Sequence, residues 1–95
     1  MVDILLEEKE NQTVLHYCVA TDIHRYDFSV IYSSHFYGKA MVISMQTEKM
    51  VLMCQDDIDN DSIWINKLGI NRIDLSSCKS FFQMILNQKH FANQY

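Results

Sequence analysis

Between Thr13 and Cys54, four runs with apolar residues at every second position are separated by connections of only a few residues. That spacing most constrains the fold. A parallel pair of strands needs a crossover of about a dozen residues or more, and no gap here is that long. The runs therefore predict an antiparallel meander. In "TVLHYCVAT" (13–21), Leu15, Tyr17 and Val19 share one face; Val14, His16, Cys18 and Ala20 share the other. In "RYDFSVIYSS" (25–34), Tyr26, Phe28, Val30 and Tyr32 alternate with Arg25, Asp27, Ser29 and Ser33, with Ile31 the exception. "KAMVISMQ" (39–46) places Met41, Ile43 and Met45 together, and "MVLMC" (50–54) is apolar on both faces. The chain has no proline and only two glycines. That favours regular structure with short joints and argues against a Gly-rich phosphate loop. Gly38 is the natural site for a positive φ in the second connection.

The period changes after Cys54. "QDDIDNDSIWINKLG" (55–69) predicts a helix stopped by Gly69, with Lys67 in its last turn and Ile70 supplying the accompanying apolar contact. A second helix is expected near "IDLSSC", capped by Asp74, Ser76 or Ser77. Its apolar stripe is Leu75, Cys78, Phe82 and Ile85, widened by Phe81 and Leu86. The predicted fold is α+β: a four-stranded antiparallel β-meander followed by two helices packed on one face, ββββαα, as one domain over 1–95. Residues 1–12 read as an acidic arm and 88–95 as a frayed polar tail. Val14, Cys18, Ile31, Val51 and Met53 cannot easily all join the helix-covered face, because neighbouring strand residues point oppositely. A second apolar face implies self-association as a homodimer or a partner site; the alternative is that the arm folds across it with Ile4, Leu5 and Leu6.

Charge excludes some functions. The net charge is −4, with −3 in residues 1–12 and −3 in 55–70. No basic stripe is present for nucleic acid. The N-terminal stretch has neither the basic start nor the apolar run of a leader, and no apolar run approaches a membrane span. The three cysteines, Cys18, Cys54 and Cys78, lie in apolar runs without close pairing, which suits a reducing, cytoplasmic setting.

The acidic stretch Asp56, Asp57, Asp59 and Asp61 invites a calcium reading. Started at Asp57, the loop template wants Gly where Ser62 stands and a carboxylate where Leu68 stands. It fails at both, so the aspartates are expected to cap a helix and offset its dipole. His16 and Cys18 share a strand face and, with another cysteine, offer a zinc alternative, but neither CxxC nor HxxxH is present. No metal or cofactor is expected. For nucleophilic chemistry, Cys78 is the one cysteine placed in a helix's first turn. No paired carboxylates or serine motif accompany it, so the reading leans away from an enzyme. The best contact surface is the segment "HRYDFSVIYSSHFYGK", with Arg25, His35, Phe36, Tyr37 and Lys39 as candidate binding residues.

"RYDFSVIYSSHFYGKAMVISMQ", followed by Asp56–Asp57 and Leu68–Gly69, resembles a family of small uncharacterised cytosolic proteins of Firmicute-type bacteria, over residues 14–70. Its most specific part is Tyr26-Asp27-Phe28 with Phe36-Tyr37-Gly38-Lys39. The resemblance implies a bacterial, cytosolic, single-domain protein and carries over no catalytic residue. The expected function is a non-catalytic protein-binding or regulatory module acting as a homodimer. The alternatives are a thiol- or metal-dependent enzyme or sensor using Cys78 or His16 and Cys18, and a small-ligand-binding domain with a pocket between helices and sheet.

Overall fold

The structure is a computed structural model, described here for residues 12–87 together with Asp3, Glu7 and Lys9. The expected arm and tail otherwise lie outside the described residues. Four strands, β1 (Thr13–Ala20), β2 (Arg25–Tyr32), β3 (Ala40–Ser44) and β4 (Met50–Met53), form one antiparallel sheet in the order β1-β2-β3-β4. The meander is as the sequence predicts. Leu15 lies opposite Val30 and Tyr17 opposite Phe28; Val30 in turn faces Val42, which faces Val51.

Among the described residues there is one α-helix, α1 (Leu75–Ile85), and it covers one face of the sheet. Cys78, Phe82, Ile85 and Leu86 are buried there, as the stripe predicts. They meet Tyr26, Phe28, Val30 and Tyr32 of β2, Ala40 and Val42 of β3, and Val51 and Met53 of β4. Aromatic rings knit the contact: Phe28 and Phe82 are 5.6 Å apart, and Trp64 meets Phe82 edge-on at 5.2 Å. Such pairings add specificity to the apolar burial. The Tyr32 hydroxyl donates to the Ile85 carbonyl at 2.9 Å, tying β2 to the end of α1.

The expected first helix is corrected. Residues 55–70 form short 3-10 turns at Gln55–Asp57 and Asp61–Ile63, followed by further turns. Their bonds mostly span three residues, as from the N–H of Ile58 to the carbonyl of Gln55 and from Trp64 to Asp61. Asp, Asn and Ser side chains compete with the backbone for hydrogen bonds and disfavour a helix interior. Gly69 is nevertheless a true helical stop. It has φ +67, its N–H bonds to the Asn66 carbonyl, and the Ile70 N–H bonds back to Ile65. That pair of bonds is the Schellman arrangement, built here on a single turn. Ile58, Trp64, Ile65, Leu68 and Ile70 are all buried, so the segment covers the sheet without being a helix.

Candidate functional site

Among the described residues, no element covers the second face of the sheet. Register aligns Val14, Ile31, Met41 and Leu52 as one row across all four strands. Next to it run His16, Ser29, Ile43 and Met50. Val14, Met50 and Leu52 are exposed, and Ile31, Met41 and Ile43 partly so. No charged residue lies in either row. Val51 and Met53, expected among the surplus apolar residues, belong instead to the covered face. They pair with Val42 and Ala40, whose side chains point into the core.

The structure separates the predicted contact residues. Arg25 opens β2, where it pairs with Asp27 at 3.2 Å. His35, Phe36, Tyr37 and Lys39 lie past the other end of that strand, about 26 Å away for eight extended residues. A 3-10 turn over Ser34–Phe36 is capped by the Ser33 hydroxyl, which accepts from the His35 N–H at 3.1 Å. Tyr37 then takes a left-handed conformation, φ 54, that a non-glycine residue rarely adopts. Its side chain is 95% exposed, while Phe36 is half-buried. Lys39 reaches Asp57 at 3.0 Å and joins this turn to the acidic segment.

The aspartates divide by task. Asp57 accepts from the Cys54 backbone N–H at 2.9 Å, from its thiol, and from Lys39. Burial alone would push its carboxyl up; the Cys54 N–H and then Lys39 outweigh that and hold it below the usual range. Asp61 and Asp59 lie 3.6 and 4.0 Å from the Lys79 ammonium on α1. Asp57 thus fastens this segment to Lys39, just before β3, and Asp61 fastens it to α1. Among the described residues, no group of three or more His, Cys, Asp or Glu is placed to hold a metal ion.

Cys78 faces the core, and burial followed by the nearby Asp74 charge pushes its thiol up to about 11. A nucleophilic thiolate requires the opposite shift. His16 Nδ1 lies 2.7 Å from the Ser29 hydroxyl on the open face, two residues from exposed Cys18.

One polar cluster was missed. Asp74 is buried, and its Oδ2 accepts from the Tyr26 hydroxyl at 2.6 Å and lies 2.7 Å from His24 Nδ1. The Tyr26 hydroxyl accepts in turn from the Asn71 N–H at 3.1 Å. Tyr26 first, with Thr21 and His24 after it, holds the Asp74 carboxyl below its usual range against the penalty of burial. Asp74 was expected only as a helix cap, yet it makes no side-chain cap bond. Its signal was readable: a tyrosine on the covered face needs a partner for its hydroxyl, and Asp74 is the acid beside the helix that covers it. The cluster locks the β1–β2 connection onto the start of α1.

No curated protein matches the chain. A family description does match, and it spans the sheet, the acidic segment and nearly all of α1. The sheet with its open face, the 34–39 turn and the acidic segment are thus parts of one family unit: by a match over residues 5–84, the chain belongs to the SAV0927-like family.

Proposed function

We propose that the protein is a non-catalytic binding module that acts as a homodimer, two copies meeting through the open face of the sheet. The observation that carries this reading is the uncharged apolar row Val14, Ile31, Met41 and Leu52, which crosses the sheet with no described element over it. Exposed apolar patches of this kind mark contact surfaces. A second copy suits it because the rest of the chain is net acidic, whereas these two rows bring no like charges together. Four strands about 4.8 Å apart give a footprint of about 20 Å by 20 Å. That is roughly half a standard interface per partner, so the face contact is weak and concentration-dependent.

The 34–39 turn is the second contact surface, for a protein partner, with Phe36 and the projecting Tyr37 as anchors beside His35 and Lys39. Arg25 lies apart from it. The raised, buried Cys78 thiol favours binding over thiol chemistry. Three free cysteines support a reducing, cytosolic setting. No described helix is long and apolar enough to cross a membrane.

Sedimentation or light scattering against concentration tests the dimer. Leu52→Lys, at an exposed position, should weaken face association at least tenfold while Trp64 fluorescence reports an unchanged fold. Wild-type protein that keeps the monomer mass at all concentrations would sink the face-to-face dimer. Phe36→Ala with Tyr37→Ala should abolish capture of the native partner; unchanged stability and unchanged associations would remove the turn from the function.

A further inference from the structure

We propose that the free edge of β1 is a second, separate self-association surface, on which β1 of another copy pairs antiparallel to give one continuous eight-stranded sheet. The ladder fixes which groups are available. The Thr21 N–H bonds to the His24 carbonyl at 2.8 Å. Counting back in steps of two, Val19, Tyr17, Leu15 and Thr13 turn their backbone groups towards β2. The intervening Val14, His16, Cys18 and Ala20 turn theirs outward. The far side of β2 agrees, since the Met45 N–H bonds to the Asp27 carbonyl. Because β1 pairs only with β2 in the sheet, four N–H and four C=O groups stand unpaired among the described residues.

Proteins protect such edges with charge, proline or shortness. The other edge follows that rule: β4 has four residues, only Met50 and Leu52 turn outward, and Lys49 precedes it. β1 has eight residues with no charge and no proline. Its covered-face side chains, Leu15, Tyr17 and Val19, are only partly buried at the border of the core, with Phe81 packed on Tyr17 at 5.1 Å.

A second copy fits this edge better than an unrelated strand. With a two-fold axis at Tyr17, Val14 of one copy opposes Ala20 of the other and His16 opposes Cys18. All eight outward groups on each copy then find partners. The same axis brings the half-covered Tyr17 and Phe81 of both copies together, extending one core into the next. This contact is independent of the open face.

The test is amide hydrogen exchange of the full chain carrying Leu52→Lys, which should weaken the face contact at least tenfold. The amides of Val14, His16, Cys18 and Ala20 should exchange at least 100-fold slower than unpaired amides at high protein concentration. On dilution they should approach the unpaired rate as the mass falls from dimer to monomer. Unpaired rates at every concentration overturn the proposal. So does protection that persists in the monomer, which would assign the edge to another segment of the same chain. His16→Pro, which deletes one outward N–H, should weaken the remaining association at least tenfold, while His16→Ala should leave it within about twofold. Equal effects of the two would also overturn it. If Leu52→Lys fails to change the wild-type mass but exchange remains concentration-dependent, the face contact is refuted and the edge contact stands.

Discussion

Two glycines look alike in the sequence and differ in the fold. Gly38 has φ +81 and open space where a Cβ would sit; Gly69 has φ +67, and a Cβ there would meet Thr47 Cγ2 at 2.6 Å. Left-handed backbone costs an alanine about 1 kcal/mol, and Gly38→Ala should lose only that in a denaturant titration. Gly69→Ala adds the collision and should lose about 2 kcal/mol or more. The Thr47 hydroxyl also donates to the Lys67 carbonyl at 2.7 Å, so its methyl has little room to retreat. The stop at Gly69 was legible because a glycine that follows a lysine and a leucine and precedes an isoleucine has one common meaning. Tyr37 was not: no residue preference announces a left-handed tyrosine, since bulky side chains avoid that conformation. The distance from Arg25 to the turn was legible and overlooked, because an eight-residue strand lies between them.

The strands were readable because period-two alternation leaves one pleated solution, and α1 because its apolar positions recur every three or four residues. The segment 55–70 misled because its glycine stop and acidic start are genuine helical signals flanking a stretch that is not helical. Its buried residues reinforced the helical reading, since Ile58, Ile65 and Leu68 keep helical spacing; only the polar run from Asp59 to Ser62 tells against a helix. Tertiary anchors hold it instead. The indole N–H of Trp64 is shared between the carbonyls of Asp57 and Ile58, both at 3.2 Å. The aspartates should therefore be unequal. Asp57→Ala removes a backbone cap and an ion pair and should lose about 1–2 kcal/mol. Asp56→Ala and Asp59→Ala should change stability by less than about 0.5 kcal/mol, as exposed charges usually do. Equal losses at all three would mean that the segment is held by its summed charge.

For the whole molecule, burial sets a pH window. Asp74 and Asp57 titrate below their usual range in the fold, so their contribution is full above that range and is lost as acid protonates them. Cys78 moves the other way, from 9.0 to about 11, and Tyr26 is raised too, by burial and then by Asp74. A raised acid stabilises the fold below its unfolded value and loses that contribution as pH climbs through the folded one. Stability should be flat through neutrality, fall below about pH 4 and fall again between about pH 9 and 11. Cys78→Ala should shallow the alkaline fall in thermal melts without abolishing it, because Tyr26 remains.

The order of elements along the chain also bears on how the molecule comes into being. Strands β1 to β4 end at Met53, whereas the groups that cover them, from Ile58 to Leu86, are made afterwards. A sheet formed ahead of that cover would present apolar side chains on both faces, and one uncharged edge. Chains in that condition are prone to aggregate. Tyr26 finds Asp74, and Tyr32 the Ile85 carbonyl, only once the two ends of α1 have docked on the sheet. The covered face is thus completed last, through hydrogen bonds whose partners lie 48 and 53 residues apart in the chain.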